Sequence, residues 1–233
     1  IPRLLKVDLM VDCDGNFKIA EIDGHNKHGL GYSTLAKRFC QVAAPDAKTL
    51  PGTVKLLVEE TQRQGYNLIK LLYADQERFY IPEFEVAKQE FILEGSNLLL
   101  LPEMMTHLSL LQDGLFLDLP FLNHMIQLYE PMLAGYIEGR IKFLIPPKPF
   151  MGAKGVLALL RNDIEDSHLE SILNAFIPPL SLQFVRQHIP PTLLVGKEAL
   201  NSERVKALVA QKRYVLKESI SSGMKGTIFS DQP

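Results

Sequence analysis

The spacing of hydrophobic positions changes several times along the chain, and each change marks an element. Residues 3–11, Arg-Leu-Leu-Lys-Val-Asp-Leu-Met-Val, alternate loosely and favour a strand. Asp12-Cys13-Asp14-Gly15-Asn16 is a turn signature, and 17–22 is a second strand, so the chain opens on a hairpin. A polar loop over 23–32 leads to a helix over 33–40 with Ser33 as its N-cap. The middle of the chain then alternates. A helix at 53–64 stops at Gly65, and an apolar strand follows at 67–73. A helix at 81–93 has Pro82 at its first position, and 98–101 is a buried strand. The helix expected at 119–134 is irregular near Pro131. Strands alternating with helices predict an α/β fold with a doubly wound, mostly parallel sheet.

Ile145-Pro146-Pro147-Lys148-Pro149 is an extended linker. Beyond it the pattern gives helices starting over 154–160 and at 167–176. Pro178-Pro179 and Pro190-Pro191 act as interruptions. A helix at 202–211 with Ser202 as N-cap, a strand at 213–217, a Gly/Ser loop at 219–227 and a strand from Thr227 complete the chain. The expected division is 1–50, 51–148 and 149–233.

Of the 233 residues 46% are hydrophobic, which excludes general disorder and suffices for one large domain or two small ones. A net charge of −2 gives no drive toward nucleic acid or an anionic membrane. Pro, Asp or Glu interrupts every apolar run well short of the ~18 residues of a membrane span. Cys13 and Cys40 have no metal or redox spacing, and a reducing, cytoplasmic compartment is the simplest expectation. The opening Ile1-Pro2-Arg3 shows no signal peptide, and the missing Met leads us to expect a piece of a longer protein.

Two constellations carry chemistry. With a two-residue turn at Asp14-Gly15, cross-strand positions sum to 29 and Asp8 faces Glu21, their Cβ atoms about 5 Å apart. Asp23 falls on the same face. Three converging carboxylates suit a hard cation such as Mg²⁺. A three-residue turn would break this arrangement. An exposed edge hairpin with solvated acids has the same spacing. Asn26 is a further oxygen donor or a plain loop residue. His25 and His28 fall short of a metal set and suit substrate contact or solvent. The second constellation is Tyr214-Val215-Leu216-Lys217 followed by Ser221-Ser222-Gly223-Met224-Lys225-Gly226-Thr227. Small residues let backbone N–H groups approach phosphate oxygens, and the lysines add charge. The loop matches neither the Walker A nor the dinucleotide spacing, and a simple turn between strands fits it equally. Lys154 heads an apolar helix, where a helix N-terminus favours anions, or it is a solvated first-turn lysine. His107, His124, His168 and His188 share no spacing, and no Gly-x-Ser-x-Gly elbow is present.

In their order along the chain these elements resemble the circularly permuted ATP-grasp proteins, which include glutathionylspermidine-synthase-like ligases. Asp8, Asp14-Gly15 and Glu21-Ile22-Asp23 look like the family's metal-binding elements, here placed first. Residues 150–160 look like the helix carrying its first nucleotide lysine, and 215–217 with 222–227 resemble the second lysine and phosphate loop. Asp23 stands where the family more often has Asn, and Met224 and Thr227 where Gly and Val are usual. The resemblance implies a Rossmann-like pre-ATP-grasp domain over 51–148. It places the metal-binding hairpin in 1–50 and the start of the nucleotide-binding lobe in 149–233, so that the ATP-grasp lobes are incomplete. An adenine- and ribose-binding segment is expected beyond Pro233.

The implied activity is ATP-dependent carboxylate–amine ligation through an acyl phosphate, with Mg-ATP held between lobes and an amine or peptide as acceptor. Asp8, Glu21 and Asp23 then ligate Mg²⁺, and Lys154 and Lys217 contact phosphates. Ser221, Ser222, Gly223, Met224, Lys225 and Gly226 form the lid, and Arg3 or Lys6 neutralises the acyl phosphate. Neither a nucleic acid nor a membrane is an expected partner, and an incomplete lobe favours association into a homo-oligomer. Two other readings stay open: a nucleotide- or metabolite-binding module without ligase activity, and a structural α/β domain.

Overall fold

The computed structural model describes residues 3–24, 27–103, 108–119, 126–148, 152–196, 203–210, 214–219 and 227–230. Its contacts divide the chain into two units, Ile1–Leu4 with His25–Lys148, and Leu5–Gly24 with Pro149–Pro233. The segment expected at 1–50 is therefore split. Its hairpin, β1 (Lys6–Val11) and β2 (Phe17–Asp23), is grouped with the C-terminal part, and α1 (Leu30–Ala43) with the middle. The physical reason is packing: α1 lies against a later helix of the middle segment, as described next.

The first unit is mixed α/β. After α1 come α2 (Thr53–Arg63), β3 (Leu68–Tyr73), α3 (Ile81–Leu93), β4 (Asn97–Pro102), β5 (Gly114–Phe116), α4 (Ile126–Ile137) and β6 (Ile141–Phe143). The four strands form a parallel sheet in the order β4-β3-β5-β6. Alternation along the strands feeds two cores. Ile69, Leu71, Leu98, Leu115 and Leu117 pack with Leu30 of α1, Val54, Leu57 and Val58 of α2, and Phe84, Ala87 and Phe91 of α3. Leu72, Leu101, Phe116 and Phe143 pack with Tyr129 and Met132 of α4. Helices thus cover both faces, as parallel sheets require. Lys70, on the α4 side, donates to the carbonyls of Leu110 and Asp113, both at 2.8 Å, which lets a lysine sit within the sheet.

Local expectations held for β3, α3 and β4 within a residue or so of their ends. Pro131 lies inside α4, as its irregularity suggested, while residues 120–125 of the expected helix lie outside the described residues. The start of α1 differs from expectation. Ser33 is an internal residue whose hydroxyl donates to the Leu30 carbonyl at 2.8 Å. The N-cap is Gly29, at φ 105°, and its N–H donates to the carboxylate of Glu83 on α3. A tertiary cap of this kind leaves no local signature. Gly31 is also required here, since a Cβ would overlap the Glu83 carbonyl oxygen.

In the second unit β1 and β2 pair antiparallel. They are joined by a tip in which Asp12 N–H donates to Asn16 O at 2.9 Å and Gly15 takes φ 83°. The Asp12 carboxylate accepts from the N–H groups of Asp14 and Asn16, at 3.0 and 2.8 Å. These backbone bonds hold the Asp12 carboxyl below its usual range, against a smaller opposing effect of desolvation. The tip is thus a three-residue loop, 13–15, not the expected two-residue turn; the Asp12 carboxylate favours it by satisfying the N–H groups inside it. The remaining elements are α5 (Gly155–Arg161), α6 (Ser167–Phe176), α7 (Pro179–His188), α8 (Glu203–Ala210), and the antiparallel pair β7 (Val215–Lys217) and β8 (Thr227–Phe229). Asp166 caps α6 by accepting from His168 and Leu169 N–H. Pro178-Pro179 does more than interrupt: Pro179 opens α7, where its missing N–H costs nothing. No helix among the described residues is long and apolar enough to cross a membrane.

Candidate functional site

A three-residue tip alone would carry Asp8 off the face of Glu21. From the tip the register runs Val11↔Phe17, Met10↔Lys18, Leu9↔Ile19, and then shifts, so that Ala20 has no partner and Asp8 faces Glu21. Ala20 is thus a β-bulge, and its extra residue restores the sum of 29 that the tip had reduced to 28. The pairs Asp8↔Glu21 and Lys6↔Asp23 share one face. The expected facing of Asp8 and Glu21 therefore holds, reached by a different route.

Two lysines offset the repulsion between these acids. Lys6 Nζ lies 3.5 Å from Asp8 Oδ1, and Lys154 Nζ lies 3.4 Å from Glu21 Oε1. The Lys154 side chain is only 10% exposed, while Asp8 is 45% exposed. Among the described residues no group of three His, Cys, Asp or Glu is placed to hold a metal ion. Asp8 and Glu21 still offer facing oxygen donors of the kind a hard cation takes, with buried Asp23 two pairs along.

The start of α5 does not offer the expected anion-binding N–H groups. Lys154 N–H donates to Ser219 O at 2.7 Å and Gly155 N–H to Ser219 Oγ at 3.3 Å. Val156 and Leu157 N–H turn back to Ala153 and Lys154 carbonyls. An anion here would meet the Lys154 side chain, which already pairs with Glu21. Lys217 is exposed at the end of β7, paired with Thr227. Ser221, Ser222, Gly223, Met224, Lys225 and Gly226 lie outside the described residues, as do His25, Asn26, His107 and His124. Arg3 is engaged in the α/β unit. Its Nε lies 3.4 Å from Glu60 Oε1, and its N–H donates to Leu144 O. Cys13 and Cys40 are exposed free thiols.

A second charged cluster escaped the sequence reading. In the α/β unit the strand order reverses between β3 and β5, and ligands of such sheets bind outside the carboxyl ends of the strands at that point. Glu77 follows β3, Asp118 follows β5, and Lys27 bridges them. Its Nζ lies 3.1 Å from Glu77 Oε1 and 3.4 Å from Asp118 Oδ2, with the side chain 2% exposed. His28, stacked on Tyr80 at 3.7 Å, shares Glu77 Oε1 at 3.1 Å. Burial opposes ionisation of Glu77, but the His28 hydrogen bond, the Lys27 charge and the Ala74 N–H together hold its carboxyl at about 2. Beside it, Tyr129 donates to Glu103, and burial with that carboxylate pushes the phenol up. Glu83, which caps α1, is pushed up by burial despite its backbone donors. Glu103 and Asp118 each come just after an apolar run, Leu98 to Pro102 and Leu115 to Leu117, and that position was the available signal. Lys27, in a polar loop, gave none.

Comparison of the chain with protein-family models and with curated proteins gives no match. The assignment therefore rests on geometry. The cleft of about 480 Å³ beside α6 and α7 is lined by Arg161, Glu170 and Arg186. Its charges serve each other: Arg186 grips Glu170 through two bonds of 3.0 and 2.6 Å, and with Asn162 holds that carboxyl at about 2.

Proposed function

We propose that the hairpin face and α5 form the Mg-ATP end of an ATP-grasp-type carboxylate–amine ligase. The observation that carries this reading is the convergence of Lys154 on the Asp8–Glu21 pair, kept in register by the Ala20 bulge. A bulge that restores one charged pair costs ladder pairing, and a surface hairpin gains no stability from facing carboxylates. A site for a cation with an anionic partner explains both. Asp8, Glu21 and Asp23 would hold Mg²⁺, which supplies neutralisation of phosphate charge. Lys154 and Lys217 bind the phosphates, and 221–226 cover them. Lys6 faces the acyl phosphate; Arg3, paired with Glu60, is the weaker candidate.

The reaction is written in two steps. A substrate carboxylate oxygen bonds to the γ-phosphorus as the bond to the ADP oxygen breaks. An amine nitrogen then bonds to the acyl carbon, phosphate leaves with the C–O electron pair, and the amine proton passes to solvent. The residues contribute charge placement and orientation rather than proton transfer. The parallel sheet with helices on both faces supports a Rossmann-like pre-ATP-grasp domain for the α/β unit. The free thiols support a reducing, cytoplasmic setting, and exposed Val7, Leu9, Val11 and Phe17 support self-association.

Thermal unfolding with Mg-ATP, Mg²⁺ alone and ATP alone tests the reading. The expected result is a rise in Tm that needs both components and grows with concentration, about 2.7 kcal/mol of stabilisation at a hundred times Kd. Asp8→Asn should abolish it. A rise that ignores Mg²⁺, or that survives Asp8→Asn, overturns the proposal. The buried charges at the strand reversal favour a second reading, a metabolite- or nucleotide-binding module. There the ligand shift would be metal-independent and lost in Lys27→Met.

A further inference from the structure

Lys154 is held in an unusual way for a phosphate-binding candidate. Its side chain is 10% exposed, so the position of its Nζ follows its backbone more closely than for a solvated lysine. That backbone starts α5, which spans only seven residues. So short a helix does not stabilise itself and takes its position from tertiary contacts. At its start two backbone N–H groups bond to one residue. The Ser219 carbonyl accepts from Lys154 N–H at 2.7 Å, and the Ser219 hydroxyl accepts from Gly155 N–H at 3.3 Å.

The fit is close. A Cβ on Gly155 would lie 2.8 Å from Ser219 Oγ and 3.3 Å from Leu194 Cδ1. Gly155 has no positive φ to explain it, so the glycine serves the approach of Ser219. Ser219 in turn lies two residues beyond Lys217, where the chain leaves β7. One residue thereby ties the backbone that carries Lys154 to the strand that carries Lys217.

We propose that Ser219 is a positioning residue for Lys154. It locks the first turn of α5 to the exit of β7, and, resting here on the nucleotide reading above, it lets Lys154 and Lys217 engage one polyphosphate together. Ser219 touches no reacting atom in this scheme; it acts through Lys154.

The test uses the full chain with Gly155→Ala, Ser219→Ala, the double variant and Ser219→Thr. The first readout needs no nucleotide: the rate at which an amine-acylating ester labels Lys154, followed by mass spectrometry. The second is the affinity for Mg-ATP. Gly155→Ala pushes against the hydroxyl, and loss of the hydrogen bond should raise Lys154 labelling and weaken Mg-ATP binding, each about tenfold. Removing the clashing oxygen in Gly155→Ala/Ser219→Ala should reverse part of both changes, and Ser219→Thr should match the parent. Additive losses in the double variant, or unchanged labelling in Gly155→Ala, overturn the proposal, as does a lower Tm in every variant with labelling and affinity unmoved. A parent chain that does not bind Mg-ATP overturns the nucleotide reading alone, and the labelling then decides the role of Ser219.

Discussion

The chain contains two clusters in which lysines meet carboxylates, and they are built on opposite terms. At the strand reversal Lys27 is 2% exposed and divides its charge between Glu77 and Asp118, with His28 completing the Glu77 shell. On the hairpin Lys6 and Asp8 are 36% and 45% exposed, while Lys154, Glu21 and Asp23 are more sheltered. Charges of the first cluster answer one another inside the protein, where losing any partner is expensive. In the second, the Lys6–Asp8 pair is half solvated and contributes little to folding. A cluster that is held in register yet adds little stability is the better candidate for meeting a ligand.

The contrast can be broken or sharpened by substitution. Lys27→Met should cost about 3–5 kcal/mol in urea unfolding, because it removes the buried ammonium that Glu77 and Asp118 share. A loss below about 1 kcal/mol would mean that this cluster is no more demanding than the hairpin. Deleting Ala20 removes the bulge but leaves a regular ladder from the three-residue tip in which Asp8 still faces Glu21. The expected outcome is a change in stability within about 1 kcal/mol, in the range of ordinary single changes, with the Mg-ATP shift kept. Loss of the shift in a folded variant would mean that the bulge itself, and not the facing pair, shapes the ligand site.

Acid titration addresses the first cluster. The Glu77 carboxyl sits at about 2 in the folded chain against 4.5 for an unperturbed group, so its folded value is depressed. Its contribution is then complete above 4.5 and is lost as pH falls toward 2. Tm should drop across that window more steeply in the parent than in Glu77→Gln; equal slopes would remove Glu77 from the account. The smallest effect is expected for Lys6→Ala, within about 0.5 kcal/mol by chemical denaturation, since both partners of that pair are largely exposed.

How much of this was legible depended on how locally each feature is encoded. The helix Ile81–Leu93 announces itself by Pro82 at its start and its apolar spacing, and the structure returns the same bounds. The strands Gly114–Phe116 and Ile141–Phe143 are three residues each, too short to show a period, and only pairing with neighbours defines them. The start of α1 was misplaced because its cap is Glu83, more than fifty positions away in the chain. At the candidate site, Asp8, Glu21 and Asp23 fall on one face as their spacing suggests, but only because the Ala20 bulge offsets a longer tip, which spacing alone does not show. Lys154 joining Glu21 was not legible, since nothing local connects residues on a hairpin and a distant short helix. Lys27 was missed for the same reason: its partners Glu77 and Asp118 follow two different strands, brought together only by the parallel crossover.

The bulge at Ala20 also makes the hairpin a length-measuring device. A two-residue tip with an uninterrupted strand and a three-residue tip with one bulged residue place Asp8 and Glu21 identically. With twelve residues between the two acids, tip length and bulge therefore change only together. Homologous chains that keep this spacing should fall into the two solutions, whereas a chain one residue shorter keeps the carboxylate pair on a three-residue tip with no bulge.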